Sequence, residues 1–151
     1  MSERVRQLAL QHQEESPEDR PIRVLVVDDE DSVRAALIAL LDHHGSFRVV
    51  AEASDGAFAP ALVRKLEPDV VLIDLRMPIV GGIDALQLIR AVDPRVEIVM
   101  LSAYSDQALI SDALAAGVFA YVIKGCPAEE LFETLERAWR NDAASRSDRD
   151  A

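Results

Sequence analysis

Apolar residues gather in five short runs, and the segments between the runs have helical spacing. The runs are rich in β-branched residues, and stretches such as VLVV and VVLI are apolar on both strand faces. That pattern is typical of strands buried inside a parallel sheet. The five predicted strands are Ile22–Val27, Phe47–Ala51, Val70–Ile73, Val96–Leu101 and Val118–Ile123.

The intervening segments predict five helices, with recognisable signals at their ends. Gly45 is the expected C-cap of the first helix, and Gly117 is expected to end the fourth. Pro60 is compatible with the second helix because it falls near the first turn, and Pro127 begins the fifth. Strands that alternate with helices predict an α/β fold whose parallel sheet is covered on both faces.

A chain of 151 residues has room for one domain with a proper core. We assign residues 22–140 to this domain. Residues 1–21 are polar and are expected to form a flexible N-terminal extension. Residues 141–151 lack an apolar period and are expected to form a flexible C-terminal tail.

Composition excludes several classes of protein. The net charge of −11 argues against direct binding to nucleic acid, which requires a basic face. No apolar stretch approaches the roughly 18–20 residues that span a membrane, and the N-terminus lacks the features of a secretory signal. A single cysteine, Cys126, suits a reducing compartment. These observations predict a cytoplasmic location.

Acidic residues follow two of the predicted strands. Asp28 and Asp29 come directly after the first strand, and Asp74 comes after the third. In a five-stranded sheet of order 2-1-3-4-5, these two strands flank the point where the strand order reverses and where ligands bind. Three carboxylates at one edge repel unless a cation neutralises them, and hard oxygen ligands favour magnesium.

The fourth and fifth strands end in residues that suit phosphoryl transfer. An ionised aspartate such as Asp74 can act as a nucleophile toward phosphorus. Lys124 supplies a fixed cation, and the Ser102 hydroxyl can hydrogen-bond a transferring oxygen. Each of these residues alone has an ordinary structural explanation, such as a turn, a helix cap or a solvated charge. Their combination at the right strand ends is specific.

Four stretches of the chain, VLVVDDEDSVRAAL, PDVVLIDLRMPIVGGIDAL, VMLSAYSD and GVFAYVIKG, resemble the response regulator receiver family. The resemblance covers about residues 22–140. It implies a single flavodoxin-like (βα)5 domain and phosphoryl transfer from a sensor histidine kinase or a phosphotransfer protein. It also implies a switch that changes the surface of the fourth helix, fifth strand and fifth helix, and an assisted self-reaction rather than an enzyme acting on other substrates.

The resemblance also implies a role for each site residue. Magnesium is the implied cofactor. The implied roles are phosphoacceptor for Asp74, metal ligands for Asp28, Asp29, Asp74 and the Arg76 backbone carbonyl, catalytic hydroxyl and switch residue for Ser102, aromatic switch for Tyr121, and catalytic lysine for Lys124.

The chain departs from the family pattern after Lys124. The family usually has a proline there, often with a cis bond, whereas this chain has Gly125. A cis bond before a residue other than proline costs about 2.5–4 kcal/mol, so we expect a trans Lys124–Gly125 bond. Arg76 and Tyr104 match variable positions that tune the lifetime of the phosphoryl group, and that lifetime stays open.

Other functions are compatible with parts of the pattern. A phosphatase with an aspartyl nucleophile usually has Asp-x-Asp after the first strand, which Asp28-Asp29-Glu30 does not supply. A flavin-binding module requires a loop that cradles phosphate, which three acids would repel. An unphosphorylated scaffold is disfavoured because the site is complete. The switch is either stand-alone or the N-terminal receiver of a longer regulator, and a phosphorylation-dependent homodimer is a further expectation.

Overall fold

The computed structural model describes residues 20–103 and 105–150, with side chains as far as residue 141. Tyr104 and residues 1–19, most of the expected N-terminal extension, lie outside the described residues. Five strands are described: β1 (Ile22–Val27), β2 (Phe47–Ala53), β3 (Val70–Asp74), β4 (Glu97–Ser102) and β5 (Ala120–Ile123). The helices are α1 (Asp31–His44), α2 (Ala59–Leu66), α3 (Gly82–Val92), α4 (Gln107–Ala115) and α5 (Ala128–Asp150), and one 3-10 turn spans Gly56–Phe58.

The strands form one sheet of order β2-β1-β3-β4-β5, in which all neighbours are parallel. The predicted α/β fold, its strand order and its flavodoxin-like architecture are therefore confirmed. The order reverses between β1 and β3, and Val27 at the end of β1 is paired with Ile73. The carboxyl ends of these two strands consequently open the crevice in which such folds bind ligands.

Helices cover both faces of the sheet. The core on one face joins the sheet to buried residues of α2, α3 and α4, such as Val63, Leu86 and Ile110. The core on the other face joins it to α1 and α5, through Leu41 and Leu135. Every residue of β3 is buried, which explains why its sequence is apolar on both faces.

The expected signals at the helix ends are present. Gly45 ends α1 with a φ of +84°, in the left-handed region that glycine adopts without strain. Pro60 lies in the first turn of α2, where a proline leaves no helical hydrogen bond unmade. No helix of the part described is both long and apolar enough to cross a bilayer.

The end of α5 differs from the sequence prediction. The helix continues to Asp150, whereas loss of the apolar period places its end near residue 140. An apolar period reports which face of a helix is buried, not where the helix stops. The segment from Asn141 to Asp150 contains neither glycine nor proline, so nothing in it interrupts helical hydrogen bonding. The flexibility expected of residues 141–151 stays a prediction.

Candidate functional site

The crevice between β1 and β3 holds three carboxylates. Asp28 follows β1 directly, Asp74 is the last residue of β3, and both are buried, whereas the neighbouring Asp29 is partly exposed. One oxygen from each of the three side chains lies within 4.8 Å of the others. The structure thus brings together the three acids that the sequence suggests as metal ligands.

Asp28 has one carboxylate oxygen without a hydrogen bond. Its Oδ1 accepts from the backbone N–H of Glu30 at 2.8 Å. Its Oδ2 is buried, and no described group hydrogen-bonds to it. The nearest cation, Lys124 Nζ, lies 3.6 Å away, beyond hydrogen-bonding distance. A buried carboxylate oxygen is costly without a partner, and oxygen donors are the ligands of magnesium, so the residues present fit this ion.

Both carboxylate oxygens of Asp74 accept a hydrogen bond. Its Oδ2 accepts from Lys124 Nζ at 2.8 Å, and its Oδ1 accepts from the backbone N–H of Arg76 at 3.2 Å. Burial raises the pKa of Asp74, and the hydrogen bond and charge of Lys124 oppose that rise only in part. Keeping this carboxylate ionised in its buried position therefore costs free energy.

Lys124 reaches the acids from the end of β5. Burial lowers its pKa, but the hydrogen bond with Asp74 and the charges of Asp28 and Glu30 raise it more, so the net shift is upward. The side chain therefore stays a cation at neutral pH. The Lys124–Gly125 bond is trans, as expected, and Gly125 has a φ of +86°. Glycine adopts this left-handed conformation without strain.

In the part of the chain that the structure describes, the side chains of Ser102 and Tyr121 form no hydrogen bond with the three acids. Ser102 ends β4 fully buried, and its hydroxyl donates to the Ala103 carbonyl at 3.0 Å rather than to Asp74. Tyr121 lies on β5 with 37% of its surface exposed. The backbone links the two strand ends, because the N–H of Lys124 donates to the Ser102 carbonyl at 2.8 Å.

Two site residues are absent from the sequence prediction. Asp106 is buried beside the start of α4 and pairs with Arg76, Nε to Oδ1, at 2.6 Å. Arg34, on α1, donates to the Asp28 carbonyl at 2.6 Å. The available signals were weak: an acid just before a helix suggests only a cap, and an arginine in the first turn of a helix suggests only a solvated charge.

Comparison with known proteins points to one family. The model of the response regulator receiver domain matches residues 24–136. The chain is 36% identical over 115 residues to the chemotaxis protein CheY of Bacillus subtilis, covering 76% of this chain and 95% of CheY.

Longer regulators and solved structures agree. The chain is 36% identical over 114 residues to the transcriptional regulatory protein LnrK of Bacillus subtilis, covering 76% of this chain and 52% of LnrK. The chain thus spans about half the length of that relative. One chain of the CheX–CheY–BeF3–Mg2+ complex from Borrelia burgdorferi superposes with a TM-score of 0.71 at 26% identity, covering 78% of this chain and 89% of that one.

Proposed function

The chain belongs to the response regulator receiver family, and we propose that it is a phosphorylation-controlled signalling switch whose phosphoacceptor is Asp74. Receivers of this family are regulatory proteins. The single observation that carries the proposal is the contact of 2.8 Å between Lys124 Nζ and Asp74 Oδ2, beside the acidic pair. Phosphoryl transfer requires a nucleophile, positive charge and ligands for a metal ion. The Asp74 carboxylate, Lys124 and the cluster of carboxylate oxygens would supply these three.

Magnesium is the cofactor that this site suits. Asp28, Asp29, Asp74 and the Arg76 carbonyl would hold it. The Asp28 Oδ2 is buried without a hydrogen bond and would gain most from a cation. When bound, magnesium supplies positive charge to the oxygens of the transferring phosphoryl group. It also relieves the repulsion among the three carboxylates.

The proposed reaction is a displacement at phosphorus. A carboxylate oxygen of Asp74 attacks the phosphorus of a phosphohistidine on a kinase or phosphotransfer protein, and a P–O bond forms. The P–N bond breaks, and its electron pair returns to the imidazole nitrogen, which then takes up a proton. Lys124 holds the Asp74 carboxylate in place and stabilises charge on the phosphoryl oxygens. Attack by water on the acyl phosphate later restores Asp74 and releases phosphate.

The proposed switch begins at Ser102. Its hydroxyl must leave the Ala103 carbonyl in order to donate to a phosphoryl oxygen on Asp74. That movement would shift the segment between β4 and α4, next to the strand that carries the partly exposed Tyr121. We propose that the population shifts between two packings and remodels the surface formed by α4, β5 and α5.

The partners and the location are part of the same proposal. A sensor histidine kinase or a phosphotransfer protein is the proposed donor, and phosphorylation-dependent homodimerisation stays a prediction. The net charge of −11 favours a signalling partner over nucleic acid, and the single cysteine favours the cytoplasm.

Phosphorylation with a small acyl phosphate tests the acceptor. Wild-type protein incubated with acetyl phosphate and magnesium should gain one phosphoryl group by intact-mass measurement. Asp74→Asn should gain none, and the control Asp84→Asn, which removes an exposed acid on α3, should behave as wild type. Phosphorylation of Asp74→Asn to the wild-type extent would disprove the assignment.

Beryllofluoride tests the switch. With magnesium it should shift amide resonances at Ser102 and Tyr121 and across α4, β5 and α5 in the wild type. Shifts confined to the surroundings of Asp74 would contradict the proposed remodelling.

A further inference from the structure

Arg34 joins three parts of the chain around the acidic pair. Its side chain is only 12% exposed, although it lies in the first turn of α1. The guanidinium donates to Glu52 Oε1 at the end of β2 at 2.9 Å, and to Asp31 Oδ1 in α1 at 2.7 Å. Its third contact is to the backbone carbonyl of Asp28, at 2.6 Å.

The third contact matters most for the site, because the Asp28 carbonyl belongs to the peptide unit that links Asp28 to Asp29. The orientation of that unit sets the directions in which both side chains leave the backbone. The guanidinium of Arg34 is planar and carries its N–H donors in a rigid arrangement, so it is well suited to hold this peptide unit. The contacts with Glu52 and Asp31 keep the guanidinium itself in place.

Three of the four polar groups of Asp28 form hydrogen bonds. Its N–H donates to the Ala53 carbonyl at 3.1 Å, its carbonyl accepts from Arg34, and its Oδ1 accepts from the Glu30 N–H. Only Oδ2 is left without a hydrogen bond, and the Asp28 carboxylate belongs to the cluster of three acids. The three contacts therefore hold Asp28 in place and leave one buried oxygen of its carboxylate free to bind a cation.

The charge of Arg34 is balanced by its neighbours. Asp31 and Glu52 each form an ion pair with the guanidinium, so Arg34 adds little net positive charge beside the acids. Its effect on a bound cation is therefore geometric rather than electrostatic.

We propose that Arg34 is a positioning residue for magnesium: by clamping the Asp28 carbonyl, it presents the acidic pair in ligand geometry. The inference rests on the proposed function and deepens it. Residues that orient metal ligands from outside the coordination shell typically change metal affinity by about 10–100-fold when mutated.

Two substitutions at Arg34 separate geometry from charge. Arg34→Lys keeps the charge and loses the fork, and Arg34→Gln loses both. Positioning predicts that each weakens magnesium binding by about tenfold. A purely electrostatic role predicts unchanged binding for lysine and tighter binding for glutamine, because a positive charge near the ion has been removed.

The experiment is a magnesium titration of the full chain, followed by amide chemical shifts. Arg48→Gln is the matched control, since it removes an exposed arginine from β2, and it should bind as wild type. Glu52→Ala is the second variant: it removes one anchor of Arg34 at a half-exposed position without substituting Arg34 or a proposed ligand, and it should weaken binding by a few fold. Urea unfolding without magnesium shows that each variant is folded.

The outcomes separate this inference from the metal site itself. If Asp29→Asn binds magnesium as tightly as the wild type, the proposed site is wrong and the role of Arg34 falls with it. If Asp29→Asn loses affinity while folded Arg34→Lys and Glu52→Ala keep it, the metal site stands and the positioning role is overturned. Loss of affinity in Asp29→Asn, Arg34→Lys and Glu52→Ala, with Arg48→Gln unchanged, supports both.

Discussion

Arg76 and Asp106 form an ion pair in which the two partners differ sharply in exposure. The Nε–Oδ1 distance is 2.6 Å, and the side chain of Arg76 is 68% exposed while that of Asp106 is 4% exposed. Asp106 also accepts from the Ala103 N–H at 3.2 Å, next to the buried Ser102. The pair therefore links the segment that follows Asp74 to the segment that follows Ser102.

The difference in exposure predicts an asymmetric mutational response. Arg76→Ala leaves a buried carboxylate without its cation and should lower the free energy of unfolding by about 1–2 kcal/mol, between the values for exposed and buried pairs. Asp106→Asn removes the buried charge and keeps an acceptor for Ala103, so added to Arg76→Ala it should restore most of the loss. Urea unfolding of both single variants and the double variant measures this. Arg76→Ala as stable as the wild type would contradict it.

Asp74 should reduce the stability of the magnesium-free protein at neutral pH. Burial raises its folded pKa above the ordinary value of 3.8. At pH values between 3.8 and the higher folded pKa, the folded state binds more protons than the unfolded state. The free energy of unfolding therefore falls as the pH rises through this range, and it stays lower at higher pH. Asp74→Asn should therefore be more stable than the wild type at pH 7, and the difference should shrink on acidification.

Thermal unfolding without magnesium, as a function of pH, measures this difference. Asp84→Asn is the control, and a change within about 0.5 kcal/mol is expected for such an exposed position. Added magnesium should stabilise the wild type and not Asp74→Asn, because the proposed metal site exists only in the folded state. A less stable Asp74→Asn at pH 7 would refute the prediction.

Gly82 is required by a close approach at the start of α3. A Cβ there would lie 2.6 Å from the Asp74 carbonyl oxygen and 2.9 Å from the Leu75 Cα, both backbone atoms that cannot move independently. Gly82→Ala should therefore lower the free energy of unfolding by about 1–3 kcal/mol, the usual cost of overpacking. It should also weaken magnesium binding, because Asp74 must shift.

The neighbouring Gly81 is a matched control. Its nearest contact to an added Cβ is the Leu75 carbonyl oxygen at 3.6 Å, an ordinary van der Waals distance, and its backbone is extended. Gly81→Ala should leave the free energy of unfolding nearly unchanged. Alanine is a poorer helix N-cap than glycine, but it also lowers the entropy of the unfolded chain, and the two effects roughly offset each other. Equal destabilisation by the two substitutions would show that the close approach does not matter.

Cys126 should react slowly with thiol reagents. Burial raises the pKa of its thiol, and the charge of Glu130 raises it further. A raised pKa lowers the fraction of reactive thiolate at neutral pH. Labelling by Ellman's reagent at pH 8 should be slower than that of a small free thiol, and urea should abolish the difference.

Glu130→Gln tests the electrostatic part of that shift. It should accelerate labelling of Cys126 relative to Glu129→Gln, which removes the adjacent acid of the same helical turn. Equal labelling rates in the two variants would mean that the charge of Glu130 does not contribute and that burial alone raises the pKa of Cys126.

The sequence by itself determined the order of the elements and the location of the site residues at strand ends. Both depend on local patterns: the apolar runs of β1 and β3 are buried on both faces, and a residue directly after a run lies at the sheet edge. Asp28, Asp74 and Lys124 could be placed near one another in this way. The trans bond before Gly125 could be predicted as well, because its energy is local.

Only the tertiary structure decided which side chains meet across the loops. Arg34 with Glu52 and Arg76 with Asp106 are separated by 18 and 30 residues, and their pairing depends on how each loop leaves the sheet. The same holds for the Asp28 Oδ2, which is buried without a hydrogen bond from any described group. Apolar spacing carries information about burial along one element, whereas loop directions follow from packing between elements distant in the chain.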